Sequence, residues 1–88
     1  MKKKLIFDKS YHDNYYIGIE FNDFTTILSD INIAIELSIS YEEYVNILKQ
    51  HNAFLNFRNN YYYFKNIQDV ESTIEYLEPY LVMATLIK

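Results

Sequence analysis

The side chains in this sequence that are best suited to chemistry are two histidines and their neighbours. His12 precedes Asp13, and such a pair can bind a metal ion or act as a general base. No second pair of ligands with the spacing of a metal site accompanies it, and His51 has no such neighbour. Gly18 is the only glycine, so no phosphate-binding loop is possible, and serine-nucleophile motifs are absent. We therefore expect no enzymatic activity, no cofactor and no bound metal.

A run of four aromatic residues at 61–64 is the other feature with a chemical use. It belongs to the stretch FRNNYYYFKN and follows Asn59 and Asn60 directly. Because asparagine tolerates a positive φ, these two residues suit the two-residue type I′ turn of a hairpin. In that hairpin Phe57 pairs with Tyr62, and successive side chains alternate between the two faces.

The predicted hairpin has one face for the core and one for a partner. The core face carries Leu55, Phe57, Tyr62 and Phe64. The other face carries Phe54, Asn56, Arg58, Tyr61, Tyr63 and Lys65. Arginine and tyrosine are frequent in the hot spots of protein interfaces, so we expect Arg58, Tyr61 and Tyr63 to form a contact surface. The alternative is that the N-terminal segment or a second copy of the chain covers these tyrosines.

The acidic residues are unevenly distributed, although the net charge of −4 is modest. No lysine or arginine occurs between Lys9 and Lys49, and all charged residues at 69–78 are acidic. Such a distribution favours a partner with a basic surface. The candidate contact residues are Glu36, Glu42, Glu43, Asp69, Glu71 and Glu75. Alternatively, these side chains form solvated faces that keep the protein soluble.

Two strands are predicted near the start of the chain, at 3–8 and 15–21. In the strand at 15–21, large apolar side chains occupy every second position. The residues between the strands favour a turn, so the pair is predicted to be a hairpin. Gly18 inside the second strand indicates a bulge or a close approach of another segment.

The segment 22–40 fits two structures. Isoleucine or leucine occupies every second position of 31–39, and these mostly β-branched residues favour a strand. We therefore predict a short helical turn at 23–29 followed by a strand at 31–39. The alternative is one helix over 23–37, which the apolar spacing in that range also allows.

A helix is predicted directly after Ser40. Ser40 and Glu43 form the pattern of a capping box, in which each side chain accepts a main-chain hydrogen bond from the other residue. Asn52 suits the left-handed conformation that ends many helices. This is the clearest helix signal in the chain.

A second helix is predicted at 67–77. Pro79 lacks an amide hydrogen and should end it, so 80–87 is predicted to be a strand. From about residue 31 the order is then strand, helix, strand, strand, helix, strand. That order is the ferredoxin-like βαββαβ arrangement, an α+β fold with an antiparallel sheet and both helices on one face.

We expect residues 1–88 to form a single domain, with an N-terminal hairpin at 1–22 and the βαββαβ core at 31–87. The absence of cysteine excludes disulfides and fits a reducing compartment. Neither a signal peptide nor a membrane span is recognisable, since the longest uncharged apolar stretch is much shorter than about 20 residues. These features predict a cytoplasmic protein.

Single-stranded RNA is one partner that a ferredoxin-like sheet with exposed tyrosines suggests. The run YYYFK contains none of the glycines of an RNA-recognition motif, and the predicted strand at 31–39 contains no aromatic residue to stack on a base. The acidic surroundings also repel phosphates. We therefore do not expect nucleic acid to be the partner and keep RNA binding as an alternative. A self-associating module, such as a homodimer, is a further alternative.

The short, acidic, tyrosine-rich and cysteine-free chain resembles small phage-encoded inhibitors, including anti-CRISPR proteins. Its abundance of Ile, Asn, Lys and Tyr is typical of AT-rich genomes, such as those of low-GC bacteria and their phages. The resemblance implies a non-catalytic inhibitor in the host cytoplasm that occupies a nucleic-acid-binding surface of a host protein. It also implies that carboxylates can stand where phosphates would lie.

Overall fold

The computed structural model describes residues 3–10, 12–22 and 25–87, with the side chain of residue 87 excepted. Three strands form the first sheet: β1 (Lys3–Lys9), β2 (Tyr15–Phe21) and β3 (Thr26–Ile27). Two short helices follow, α1 (Asp30–Glu36) and α2 (Tyr41–Gln50). A hairpin of β4 (Phe54–Asn56) and β5 (Tyr61–Tyr63) then leads to the long helix α3 (Ile67–Ile87). The fold is therefore α+β, as predicted.

The N-terminal hairpin is confirmed. β1 and β2 pair antiparallel with Leu5 opposite Ile19, and β3 extends the sheet on the other side of β2. Another segment approaches Gly18 closely: a Cβ atom there would lie 2.8 Å from Leu28 Cδ2 and 3.2 Å from the Ile27 carbonyl oxygen, so a larger residue would require these neighbours to shift. The predicted close approach of another segment to Gly18 is thus also confirmed.

The predicted strand at 31–39 is wrong, because α1 covers most of this segment. The helix buries Ile33, Ala34 and Leu37, which share one helical face, and leaves Ile31 and Ile35 more than half exposed. The alternation that favoured a strand therefore does not match the pattern of burial. The helical turn predicted at 23–29 is also wrong where it can be compared, since residues 26–27 form β3 and residues 23 and 24 lie outside the described residues.

The predicted strand at 80–87 is wrong as well, since α3 continues through Pro79 to Ile87. Proline removes one main-chain hydrogen bond from a helix interior, which by itself is unfavourable. The buried residues of α3 nevertheless follow each other three or four positions apart, the spacing of a helix face. They are Val70, Thr73, Leu77, Leu81 and Ala84. Burial of this continuous face offsets the defect at Pro79.

The ferredoxin-like order is not observed, because helices replace the first and last strands of the predicted βαββαβ core. The two sheets meet instead through β2 and β5, where the N–H groups of Tyr15 and Phe64 each donate to the carbonyl of the other at 2.8 Å. α3 packs against β1 and β2. Among the described residues no helix has both the length and the apolar character of a membrane span.

The helix after Ser40 is confirmed, and so is the half of its predicted capping box in which the Ser40 side chain is the acceptor. Ser40 Oγ accepts a hydrogen bond from the Glu43 N–H at 3.0 Å, and Asn52 has the left-handed φ of 70° that was predicted. The residues that follow α2 contact α3, since Asn52 Nδ2 donates to Asp69 Oδ1 at 3.4 Å and the His51 ring contacts the Tyr76 ring.

Candidate functional site

The loop between β4 and β5, residues 57–60 and here called the hairpin loop, is held by asparagine side chains. Asn56 Oδ1 accepts from the Arg58 N–H at 2.9 Å, and Asn59 Oδ1 accepts from the Tyr61 N–H at 3.0 Å. Asn59 Nδ2 also donates to the Tyr63 hydroxyl at 2.8 Å. These bonds replace the two-residue type I′ turn, and only Asn60 of the two turn residues has a positive φ.

The hairpin register therefore differs by two residues from the predicted one. Leu55 lies opposite Tyr62, where Phe57 was predicted. A shift of two positions keeps every strand residue on its face, because the side-chain period of a strand is two. Tyr62 and Phe64 are accordingly buried, as predicted.

The assignment of Phe57 to the core face is wrong, because this residue is 85% exposed. It lies in the hairpin loop beyond the end of β4 and has no strand partner. Arg58 beside it is also exposed and forms no ion pair with any residue that the structure describes. The predicted contact residues Arg58 and Tyr61 are thus solvent-accessible, and Tyr63 is half-buried.

A cleft of about 110 Å³ opens beside the hairpin, between β2, β5 and the start of α1. It is lined by Tyr16, Ile17, Leu28, Asp30, Asn59, Tyr61, Tyr62 and Tyr63, and is here called the tyrosine cleft. The Tyr16 and Tyr63 rings meet edge to face with their centroids 6.3 Å apart. The hydrogen bond between Asn59 and the Tyr63 hydroxyl fixes that ring from the other side.

Asp30 is the only residue with a carboxyl group among the described residues that line the tyrosine cleft, and it is 6% exposed. It is the first residue of α1, and its Oδ2 accepts a hydrogen bond from the Tyr62 N–H at 2.9 Å. No described lysine, arginine or histidine forms an ion pair with it. Burial raises the pKa of Asp30 from 3.8 to about 6, against the opposing effect of the Tyr62 hydrogen bond.

The charge of Asp30 affects the pKa values of two tyrosines of α2. Tyr44 is completely buried, and among the described residues its hydroxyl has no hydrogen-bond partner. Burial, and then the charge of Asp30, raise the pKa of Tyr44. The pKa of Tyr41 is raised in the same order of causes, although this residue is partly exposed. The charge of Asp30 thus lies among hydroxyl groups and rings, without a cation.

Sequence reasoning missed Asp30. The predicted strand at 31–39 placed it in a connection between elements, where an acidic residue attracts no attention. Its hydrogen bond to Tyr62 spans 32 positions of the chain, and no local pattern indicates such a contact. The available signal was its position among isoleucine and leucine residues, within the helix over 23–37 that was the alternative prediction.

The six predicted acidic contact residues do not line the tyrosine cleft. Glu36 forms an ion pair with Lys3 at 2.6 Å, and both side chains are largely shielded from solvent. Asp69 accepts from the side chains of Asn52 at 3.4 Å and Asn66 at 3.3 Å near the start of α3. These two carboxylates therefore have partners within the fold.

The other four acidic candidates are exposed on two helices. Glu42 and Glu43 lie in the first turn of α2. Glu71 and Glu75 lie on α3, where they border a shallow groove of about 460 Å³ that β1 closes on its other side. No group of three or more metal-ligating side chains is found in the described ranges, so the site offers a single carboxylate and aromatic rings.

Comparison of the chain with protein-family models, with curated proteins and with solved structures found no match. The hairpin loop and the tyrosine cleft are therefore the features of this chain that bear on its function.

Proposed function

We propose that this chain is a non-catalytic protein-binding module that inhibits or modulates a host protein through its hairpin loop. The observation that carries the proposal is Phe57, whose ring is 85% exposed at the loop. The ring stabilises the fold little, because it buries almost no surface. In an interface the same ring would remove a large apolar area from water.

The loop is also ordered in a way that favours binding. Side chains of Asn56 and Asn59 hold its main chain by hydrogen bonds of 2.9 and 3.0 Å. A loop that is already ordered loses little conformational entropy when a partner binds it. Phe57, Arg58 and Tyr61 together provide the aromatic and arginine side chains that dominate interface hot spots.

The charge distribution supports a partner with a basic surface. Asp30, beside the loop, has no cationic partner among the residues that the structure describes, and Glu42 and Glu43 add exposed negative charge on α2. A nucleic-acid-processing protein has such a basic surface, and a chain that covered it would exclude the nucleic acid. This is the activity that the resemblance to phage-encoded inhibitors implies.

Capture from a low-GC bacterial lysate tests the proposal. Immobilised wild-type protein should retain a stoichiometric partner at moderate salt, and Phe57→Ala should weaken its retention at least about tenfold. Leu86→Ala is the matched control, because Leu86 is an apolar residue that is 75% exposed on α3. The purified partner should then lose nucleic-acid binding when the wild-type protein is added.

The proposal fails if no stoichiometric partner is retained, or if Phe57→Ala and Leu86→Ala retain it equally. It also fails in its inhibitory part if the partner binds nucleic acid unchanged in the presence of saturating protein. Light scattering of the protein alone tests the self-association alternative, which requires a mass that grows with concentration.

Single-stranded RNA binding is supported by one observation, the presence of Arg58 and Lys65 among the aromatic side chains of the hairpin. Lys65 Nζ lies 5.7 Å from the centre of the Phe54 ring. However, the predicted partner strand at 31–39 is helix α1, so the open four-stranded face of that hypothesis is missing. A salt titration with mixed oligonucleotides decides, because phosphate contacts are strongest at low salt. No binding at low salt excludes this alternative.

A further inference from the structure

We propose that the tyrosine cleft binds the guanidinium group of an arginine side chain on the protein partner, with the Asp30 carboxylate as its counter-ion. The inference rests on the proposed function for its statement that the arginine belongs to a protein partner. It goes beyond that function by naming the group that is recognised and the residue that recognises it.

The size of the cleft matches an end group rather than a small-molecule ligand. Its volume is about 110 Å³. A cavity of roughly 150 Å³ holds a benzene ring, whereas pockets for drug-sized ligands measure about 300 to 1,000 Å³. A guanidinium group with its adjoining methylene has five non-hydrogen atoms and so fits the space available.

A cation is needed to balance the negative charge of the Asp30 carboxylate in the cleft. Asp30 is 6% exposed, and no described cationic side chain pairs with it. A buried carboxylate without a partner is unfavourable because it loses its hydration, and Coulomb attraction to a cation placed beside it offsets part of that desolvation cost. One oxygen already accepts the Tyr62 N–H, which holds the carboxylate in a fixed orientation.

The walls of the cleft favour a planar cation. The rings of Tyr16 and Tyr63 meet edge to face at 6.3 Å, and Tyr61 is partly exposed at the rim. Cations are attracted to tyrosine faces, and arginine forms such contacts more often than lysine. A guanidinium group is also less strongly hydrated than an ammonium group, so its transfer from water into the cleft is easier. A metal ion would need more oxygen ligands than the single carboxylate provides.

Methylguanidinium is a suitable probe, since it carries the arginine end group and needs no partner protein. We expect saturable chemical-shift changes in ¹⁵N-labelled wild-type protein at Asp30, Tyr62 and Tyr63, with a dissociation constant in the millimolar range. Methylammonium should bind more weakly. Sodium chloride at the same ionic strength should produce no saturable change at these positions.

Two variants separate the cleft from general electrostatics. Asp30→Asn removes the charge but keeps an oxygen for the Tyr62 N–H, and should weaken methylguanidinium at least about tenfold. Glu78→Gln removes one negative charge from an exposed position of α3 and should leave the affinity unchanged within about twofold. Tyr16→Leu, which removes one aromatic wall, should also weaken binding and provides a second variant in case the first alters the fold.

The pH dependence gives a third readout. The groups that face Asp30 are tyrosines of β2, α2 and β5, namely Tyr16, Tyr41, Tyr44, Tyr61, Tyr62 and Tyr63. Tyrosine is uncharged between pH 5 and pH 7.5, so only Asp30 titrates among them. Binding should therefore weaken roughly tenfold between pH 7.5 and pH 5 as Asp30 becomes protonated.

Shifts that do not saturate, or an affinity that Asp30→Asn leaves unchanged, would overturn the inference. Equal affinity for methylguanidinium and methylammonium would overturn its preference for arginine. If methylguanidinium does not bind but a partner is retained through Phe57, this inference fails and the proposed function stands. If methylguanidinium binds as expected but no partner is retained, the cleft stands and the proposed function fails.

Discussion

Replacement of Asp30 by asparagine should stabilise this protein at neutral pH. Burial raises the pKa of Asp30 from 3.8 to about 6. A carboxyl group whose pKa is higher in the folded than in the unfolded chain binds its proton more tightly when folded. Its contribution to stability is therefore complete below about pH 3.8 and is lost as the pH rises through about 6. Above that pH the folded protein carries the full cost of the buried charge.

The size of this cost follows from the shift of about two pH units. Each unit corresponds to about 1.4 kcal/mol, so the ionised carboxylate lowers the free energy of unfolding by about 2 to 3 kcal/mol. A domain of this length is stable by about 4 to 13 kcal/mol. Asparagine has nearly the same shape, carries no charge and can still accept the Tyr62 N–H. The variant should recover most of the loss at pH 7.5.

The assay is urea denaturation of both proteins at several pH values from 3.5 to 7.5. The quantity of interest is the difference between their free energies of unfolding, because all other titrating groups cancel from it. This difference should change by about 2 to 3 kcal/mol in favour of Asp30→Asn as the pH rises. Carboxyl-carbon NMR of Asp30 measures the pKa directly.

A difference that is constant over this pH range would refute the reasoning. It would mean that Asp30 has an ordinary pKa, because water or a cation compensates its charge. Asp13 offers the matched control, since its side chain is 85% exposed. Asp13→Asn should show no pH-dependent gain of comparable size.

Three further predictions concern stability. Tyr44→Phe should raise the free energy of unfolding in urea by about 1 kcal/mol, because the Tyr44 hydroxyl is buried and lacks a partner among the described residues; a loss would show that an unseen partner exists. Leu77→Ala should cost about 2 to 5 kcal/mol, because Leu77 is completely buried on α3. In comparison Val82→Ala, at a position that is 52% exposed, should change stability by less than about 0.5 kcal/mol; similar effects of the two substitutions would contradict the burial pattern of α3. Phe57→Ala should leave stability within about 0.5 kcal/mol of the wild type, and a larger loss would show that the ring supports the fold.

Local signals predicted local structure well in this chain. The cap at Ser40 and the left-handed Asn52 were predicted because each depends on residues within one helical turn. The N-terminal hairpin was predicted because alternation and turn residues agree there. The faces of the second hairpin were also correct for Tyr62 and Phe64, since an error of two positions in register preserves the side of the sheet.

The errors lie in segments whose secondary structure depends on contacts with residues far away in the sequence. Apolar residues alternate in the segment 31–39, but only Ile33, Ala34 and Leu37 of this segment are buried in the core. Their spacing is that of one face of a helix. Pro79 weakens a helix locally, but a buried face continues on both sides of it. Neither outcome can be decided without knowing what packs against the segment.

The same dependence on distant contacts explains why the candidate site was only half predicted. Arg58, Tyr61 and Tyr63 were recognised because exposed aromatic and arginine side chains near a turn suggest an interface. Asp30 was not, since its significance arises from burial by β5, which lies about 30 positions further along the chain. Glu36 is the opposite case. It was predicted to contact a partner, but in the fold it forms an ion pair with Lys3.

Asp30 and Phe57 are linked by the way in which each departs from what stability favours. The Asp30 carboxylate is buried without a cation from the described part of the chain, while the large apolar ring of Phe57 is exposed to water. Asparagine would satisfy the Tyr62 N–H without the charge, and a polar residue would serve in the hairpin loop without the exposed ring. Both features become favourable together if a partner inserts a cationic side chain beside Asp30 and covers Phe57. Loss of partner binding by Asp30→Asn, in a protein that has become more stable, would separate this explanation from a structural role for the carboxylate.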